Sequence, residues 1–321
     1  MPNINWKTFV PTIFKDTRSG FGQALWELGQ KNEAVVGLCA DLTDSLKMGN
    51  FAKDFPHRFF NVGIAEANMI GIAAGLALGG KIPFACSFAN FATGRVYDQI
   101  RQSVAYSNTN VKICASHAGL TLGEDGATHQ ILEDLGLMKM LPNLTVINPC
   151  DYAQTRLATL EIAEHLGPVY LRFGRPVVPV VTENFGFEIG KGIVLQEGSQ
   201  VSLLATGHLV QVAIDALKDP RLADVSIELI NIHTIKPLDE TLILQSLAKT
   251  KCAVVAEEHQ YNGGLADSVA QLLARKQPAP IEYVGVNDHF GESGKPEELM
   301  EKYGLSVDNI VEKILVVLKR K

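Results

Sequence analysis

The chain has 321 residues, of which 46% are hydrophobic and 20% are charged, and its formal net charge is −6. This length predicts two domains that bury a sizeable core. The negative charge and the lack of a basic run argue against nucleic acid and against an anionic membrane surface as the main partner. The first twenty residues lack the basic start and continuous apolar core of a signal peptide, so we expect a cytoplasmic protein.

The first half of the chain alternates short β-branched runs with longer stretches of helical period. The predicted strands are AVVGLC (34–39), HRFFNVG (57–63), IPFACSF (82–88), VKICAS (111–116), LTVINP (144–149) and PVYLRF (168–173). This alternation predicts an α/β fold with a mostly parallel sheet, in which ligands bind at the carboxyl ends of the strands. Phe88, Phe91 and His117 are expected at such ends.

The pattern breaks at residues 175–192, where two prolines and three glycines predict an extended linker. Alternation then resumes, with predicted strands VSLLATG (201–207), VSIELIN (225–231), CAVVAEE (252–258) and IEYVGV (281–286). We therefore predict one domain over 1–187 and a second, smaller α/β domain over 188–321.

Five cysteines are spread along the chain without a metal-ligand spacing, and most lie in or beside apolar strands. They are Cys39, Cys86, Cys114, Cys150 and Cys252. An odd number of distant cysteines in apolar surroundings predicts buried free thiols.

Two segments carry the residues of a candidate site. Glu66 is the one carboxylate between Val62 and Phe91, in a Gly/Ala-rich apolar stretch too short to cross a membrane. A charge there must find a distant partner, hold a proton, or serve a ligand, because burying it alone costs several kcal/mol. The second segment is the polar loop HAGLTLGEDGATHQ, residues 117–130.

These residues resemble the transketolases, and in particular the C-terminal half of one. Gly63, Glu66 and Met69 fill the family's G-x-x-E-x-x-M pattern. The resemblance implies that Glu66 hydrogen-bonds to N1′ of the aminopyrimidine of thiamine diphosphate and favours the imino tautomer that deprotonates C2. It also implies that the cofactor lies against Phe91, Phe88, Asp41 and Leu42, although each Phe could instead be an ordinary core residue.

The 117–130 loop fits the transketolase pattern H-x-x-x-x-x-G-E-D-G-x-T-H-Q in full. The resemblance implies that Asp125 and His129 take protons from sugar hydroxyls. It further implies that the distal phosphate of a sugar is bound by Arg18, Ser45, His117 and Arg175. Taken singly, Arg18 could pair with Asp16 and Arg175 could hold the linker.

The chain lacks the Gly-Asp-Gly and Asn motif that holds the diphosphate and its metal in this family, and the N-terminal diphosphate domain is absent too. No metal ligand is therefore assigned to this chain. We expect a partner chain to hold Mg²⁺ or Ca²⁺, in an α2β2 heterotetramer. The chain would then be half of a two-gene transketolase that moves a ketol unit between phosphosugars, as in the pentose phosphate pathway.

Three other functions stay open. They are half of a 1-deoxyxylulose-5-phosphate synthase, the β chain of a 2-oxo acid dehydrogenase first component, and a non-catalytic partner-binding subunit. The remaining histidines, His57, His165, His208, His233, His259 and His289, lack companion motifs, and most are expected at the surface or in hinges. The run EEHQYNGG from Glu257 is predicted to be a strand end and a turn, with no chemistry assigned.

Overall fold

The computed structural model describes residues 4–321 and shows two α/β halves. The strands of the first half are β1 (Phe14–Asp16), β2 (Val35–Cys39), β3 (Phe59–Asn61), β4 (Ile82–Phe88), β5 (Lys112–Ser116), β6 (Thr145–Ile147), β7 (Val169–Arg172) and β8 (Val177–Pro179). Its helices are α1 (Thr17–Lys31), α2 (Gly49–Asp54), α3 (Glu66–Leu78), α4 (Ala89–Ala92), α5 (Tyr97–Gln99), α6 (Asp134–Lys139) and α7 (Tyr152–Glu164), and a π-helical segment covers Ile100–Tyr106.

The second half is smaller. Its strands are β9 (Ile193–Gln196), β10 (Val201–Ala205), β11 (Ile227–Asn231), β12 (Thr234–Lys236), β13 (Ala253–Gln260) and β14 (Ile281–Val286). Its helices are α8 (Leu209–Ala216), α9 (Glu240–Thr250), α10 (Leu265–Lys276), α11 (Pro296–Lys302) and α12 (Val307–Leu318).

Each half contains a mostly parallel sheet, which confirms the predicted fold class. The larger sheet has seven strands in the order β12-β6-β7-β5-β4-β2-β3, and only its edge strand β12 is antiparallel. The smaller sheet has the order β14-β13-β10-β11-β9, with β9 antiparallel at its edge. Strands that are buried on both faces explain the nearly continuous apolar runs in the sequence.

The linker region forms more structure than the sequence predicted. Its strand β8 pairs antiparallel with β1, and Thr182 further on is held by the buried carboxylate of Asp151, which accepts its N–H at 2.7 Å. Two other segments cross between the halves: β12 joins the larger sheet, and the indole of Trp6 donates to the carbonyl of Leu195 at 2.6 Å. The domain limits at 187 and 188 therefore stay a prediction.

The hydrophobic core runs through both halves. One buried cluster includes Ile70 and Ile113 of the first half and Ile230 and Val255 of the second. All five cysteines are free and buried, as predicted. Over residues 4–321, none of the helices has the length and apolar character needed to cross a membrane.

Candidate functional site

Four neighbouring parallel strands of the larger sheet end at the same edge, and each is followed by a residue singled out in the sequence. Asp41 follows β2, Phe88 ends β4, His117 follows β5, and Arg175 lies just beyond β7. Because parallel strands place their carboxyl ends together, residues far apart in the sequence meet at this edge. Glu66 reaches the same region from the first turn of α3.

Glu66 is almost completely buried, with 3% of its surface exposed, and it has an ionic partner. Nη1 of Arg95 lies 3.1 Å from its Oε2, while the Arg95 side chain remains half-exposed. The guanidinium also lies over the ring of Phe91, 4.1 Å from the ring centroid. Sequence reasoning missed Arg95, which lies beyond the end of α4 and is brought to Glu66 by the packing of separate elements.

A row of rings connects the candidate cofactor and substrate residues. The Phe88 ring stacks on the His117 imidazole with centroids 3.9 Å apart, and Phe91 lies 5.9 Å from Phe88. Phe91 meets the His129 ring edge to face at 5.3 Å. Phe88 is buried and Phe91 only partly so. Phe91 is therefore the more exposed of the two rings, and the Arg95 guanidinium lies over it.

His117 is buried in a cationic environment. Burial lowers the pKa of its imidazole to about 3, and the charges of Arg18 and Arg175 act in the same direction. Its Nδ1 lies 2.7 Å from the Ser116 hydroxyl. The ring is therefore neutral at physiological pH and offers one donor and one acceptor.

Arg18, Ser45 and Arg175 lie together. Arg18 donates to the carbonyls of Ser45 at 3.2 Å and Arg175 at 3.1 Å. Its Nε lies 3.3 Å from a carboxylate oxygen of Asp16, so the pairing considered from the sequence is present. Arg18 is thus held by two main-chain carbonyls and by one ion pair within the protein.

The guanidinium of Arg175 contacts the 117–130 loop. Its Nη1 donates to the carbonyl of Leu122 at 2.5 Å and to Oε2 of Glu124 at 2.8 Å. Hydrogen bonds from the backbone and from Arg175 lower the pKa of the Glu124 carboxyl. Because 41% of the Arg175 side chain is exposed, the guanidinium keeps donors free for a ligand.

The tip of the loop holds Asp125 and His129. Asp125 is exposed, whereas His129 is partly buried, with Nδ1 3.0 Å from the Thr128 hydroxyl. Asn90 donates to the carbonyl of Thr128 at 2.8 Å and so ties the loop to α4. His129 is thereby brought to Phe91, while Asp125 faces solvent.

Asp41 and Leu42 differ in their surroundings. Asp41 is exposed and exchanges two hydrogen bonds with Asn61, whose Oδ1 also accepts the N–H of Gly63 at 3.1 Å. Leu42 is half-buried against the core cluster around Phe21. Asn61, which sequence reasoning missed, therefore links the end of β2 to the turn that precedes Glu66.

Two of the six remaining histidines lie neither at the surface nor in a hinge. His233 and His259 are fully buried, because both lie where the two halves of the chain pack together. Nε2 of His259 accepts the N–H of Gly136 at 3.2 Å, and His233 stacks against Phe187 with centroids 4.3 Å apart. The sequence shows neither environment, since both depend on contacts between distant segments.

The run from Glu257 is more than a strand end and a turn. Glu257 and Glu258 are buried at the end of β13. Glu258 accepts the N–H of Thr121, in the 117–130 loop, at 2.7 Å. The second half of the chain thus contacts the candidate site directly.

Both halves of the chain match known domains. Residues 15–180 match the family profile described as transketolase, pyrimidine binding domain. Residues 190–310 match the profile described as transketolase, C-terminal domain.

Individual relatives extend over nearly the same length. A putative transketolase C-terminal section from Methanocaldococcus jannaschii is 45% identical over 312 residues, which cover 96% of this chain and 98% of that protein. The 6-deoxy-6-sulfo-D-fructose transketolase subunit SqwH of Clostridium sp. (strain MSTE9) is 43% identical and covers 95% of both proteins. A solved structure described as a split gene transketolase, inactive beta4 tetramer, is 46% identical with a TM-score of 0.89, over 95% of this chain and 99% of that one. The chain therefore belongs to the transketolase family.

Proposed function

We propose that the chain is the pyrimidine-binding subunit of a two-chain transketolase that transfers a ketol unit between phosphosugars. The proposal rests on one observation, a continuous series of side-chain contacts at one edge of the larger sheet. It runs from Glu66 through Arg95 and Phe91 to His129. A buried acid, a partly exposed aromatic ring and a polar loop are the parts that such a reaction requires.

The residues fit one end of thiamine diphosphate, the cofactor of the family. When bound, thiamine diphosphate supplies the carbon nucleophile that accepts and passes on the two-carbon unit. The buried carboxyl group of Glu66 suits a hydrogen bond to a ring nitrogen, and the Phe91 face suits a flat, electron-poor ring. Phe88 supports Phe91 from behind, while Asp41 and Leu42 border the site from the end of β2.

The diphosphate needs a different set of ligands. Within residues 4–321, no three His, Cys, Asp or Glu side chains are grouped as a metal site. We propose that a partner chain holds Mg²⁺ or Ca²⁺ together with the diphosphate, in an α2β2 assembly. The related solved structure is described as a split gene transketolase in an inactive beta4 tetramer, which supports a need for a second kind of chain.

The sugar would lie along the polar side of the site. In this proposal His129 and Asp125 accept protons from its hydroxyls, and neutral His117 contributes a hydrogen bond. Arg175 and Arg18, together with Ser45, bind the distal phosphate. The Arg175 guanidinium suits this role because it is partly exposed and carries a fixed fork of donors.

The relatives are described as transketolases, which favours ketol transfer over the deoxyxylulose phosphate synthase and 2-oxo acid dehydrogenase reactions. One relative is described for a sulfonated sugar, and a sulfonate carries oxygens that resemble those of phosphate. A 6-sulfonated ketose is therefore a second candidate donor. A non-catalytic subunit would have no need of a buried Glu66 that is linked through Arg95 to Phe91 and His129.

The proposal is tested by isolating the chain with its natural partner. The tagged chain should co-purify with a protein that carries Gly-Asp-Gly and a following Asn, and the pair should transfer ketol units with thiamine diphosphate and Mg²⁺. The purified chain alone should show no transfer, because it lacks the Gly-Asp-Gly and Asn motif that holds the diphosphate. Full turnover by the single chain would overturn the two-chain proposal.

A further inference from the structure

The 117–130 loop belongs to the first half of the chain, yet its inner side rests on a carboxylate from the second half. Oε1 of Glu258 accepts the N–H of Thr121 at 2.7 Å, and Oε2 accepts the Thr121 hydroxyl at 3.2 Å. Glu258 is 3% exposed and lies near the end of β13. A buried carboxylate with two donors from one loop residue is a strong local anchor.

The backbone of the loop is shaped to receive this side chain. Gly119 has a φ of +82°, in the region that favours glycine. A Cβ at this position would lie 2.1 Å from Oε1 of Glu258, so the loop approaches the carboxylate more closely than any other residue type allows.

Glu258 is itself fixed by a buried ion pair. Its main-chain carbonyl accepts from Nη2 of Arg172 at 2.9 Å, and Nε of Arg172 lies 2.8 Å from the carboxylate of Asp134. Both partners of that ion pair are buried. Arg172, at the end of β7, holds the main-chain carbonyl of Glu258. The backbone from which the Glu258 side chain extends is therefore fixed.

A second contact holds the other end of the loop. Nε2 of Gln130 lies within hydrogen-bond distance of three carbonyl oxygens: those of Leu120 at 3.3 Å, Gly123 at 3.2 Å and Glu292 at 3.0 Å. The Glu292 carbonyl belongs to the segment before α11 in the second half. The loop is therefore anchored to the second half from both sides.

We propose that Glu258 is a positioning residue through which the C-terminal domain orders the sugar-binding loop. Ordering the loop before the substrate arrives removes a conformational cost from sugar binding. This inference rests on the proposed function for the identity of the ligand, whereas the ordering of the loop can be measured without it.

The test variant is Glu258→Gln, which keeps the shape of the side chain and removes its charge. Thr121→Val is a milder second variant, because it removes the hydroxyl contact and keeps the backbone hydrogen bond. Glu257→Gln is the matched control. The adjacent Glu257 is equally buried, but it accepts the N–H groups of Leu265 at 2.7 Å and Ala266 at 2.8 Å, at the start of α10.

The first measurement is amide hydrogen exchange of the free chain, which needs neither partner nor cofactor. Glu258→Gln should accelerate exchange in peptides covering 119–124 by about 10-fold or more, since the hydrogen bond from the Thr121 N–H loses its charged acceptor. Thr121→Val should have a smaller effect in the same peptides. The Glu257→Gln control should instead accelerate exchange around residue 265. Unchanged exchange over 119–124 in Glu258→Gln would overturn the proposal.

The second measurement uses the assembled enzyme. Glu258→Gln should raise the KM for a phosphorylated ketose by about 10-fold, with the affinity for thiamine diphosphate within about twofold of wild type, since the cofactor residues lie on other elements. Equal losses in sugar KM and cofactor affinity would overturn the positioning role. If the wild-type pair transfers no ketol units while exchange responds as expected, the proposed function fails and the anchoring of the loop stands.

Discussion

At the level of single residues, Glu66 has an ionic partner that its neighbours in the sequence do not supply. Arg95 contacts both the Glu66 carboxylate and the Phe91 ring. These are the two groups proposed to meet the aminopyrimidine. An experiment on Glu66 must therefore separate the loss of the carboxylate from the loss of the ion pair.

Glu66→Gln in the assembled enzyme should keep the fold and reduce turnover by about 10²-fold or more, because the amide cannot perform the proton handling proposed at N1′. The direct measurement is hydrogen exchange at C2 of thiamine diphosphate by quenched-flow NMR. The matched variant is Arg95→Gln, which breaks the same ion pair and leaves the carboxylate in place. Exchange that slows equally in both variants would assign the effect to the ion pair instead of to the acid.

Arg175 combines an internal contact with an exposed guanidinium. Arg175→Ala should raise the apparent KM for phosphorylated sugars by about 10- to 150-fold, the range for losing one charge-assisted hydrogen bond of about 1.5–3 kcal/mol. The comparison is with hydroxypyruvate, an unphosphorylated donor, in steady-state kinetics.

Arg175→Ala also removes the ion pair with Glu124 in the 117–130 loop. The effect of losing that contact needs its own control. Glu124→Gln removes that ion pair and leaves the guanidinium available. Equal KM increases for phosphorylated and unphosphorylated donors in Arg175→Ala would place Arg175 in a structural role.

At the level of elements, α1 packs closely on α7 in the first half. Gly20 of α1 lies against the main chain of Tyr152, the first residue of α7. A Cβ at Gly20 would lie 2.4 Å from the Tyr152 carbonyl oxygen. By contrast, Gly71 in α3 has open space where its Cβ would point.

We expect substitution by alanine to have opposite effects on stability at these two glycines. Gly20→Ala should lower the free energy of unfolding by about 1–3 kcal/mol through overpacking against the backbone. Gly71→Ala should raise it by about 0.5–1 kcal/mol, because alanine favours a helix interior over glycine. Urea-induced unfolding of the free chain, followed by circular dichroism, measures both. Destabilisation of similar size at both positions would contradict this account of the packing.

At the level of the whole molecule, burial between elements leaves two histidines uncharged. Burial lowers the pKa of His117 to about 3 and that of His233 to about 4, against 6.5 for a free side chain. Asp239 acts on His233 in the opposite direction and does not cancel the effect of burial. Between these values and 6.5 the unfolded chain binds more protons than the folded chain. Stability is therefore lost as the pH falls below 6.5.

His233→Gln should reduce the pH dependence of the unfolding free energy between about pH 6 and pH 4 by about 1.4 kcal/mol per pH unit, the slope of one proton. The measurement is a series of urea unfolding curves across that range. His57→Gln provides the control, since His57 is exposed. Parallel pH profiles for wild type and His233→Gln would contradict the neutral burial of this ring.

The sequence by itself determined the fold class and the strands that bear the site. Continuous apolar runs such as VVGLC and IPFACSF can only be buried strands or helices, and their length and β-branching favour strands. The pattern from His117 to Gln130 also indicated the family, because it depends on residue types and spacing alone.

Only the tertiary structure decided which residues meet. Arg95, Asn61 and Glu258 contact site residues from other elements, and their neighbours along the chain carry no sign of it. The placement of β12 in the larger sheet, across the predicted domain limit, was likewise decided by tertiary packing. The periodicity of a sequence indicates whether a residue is buried. Which other residue it contacts depends on how the sheets and helices pack, and therefore on the whole chain.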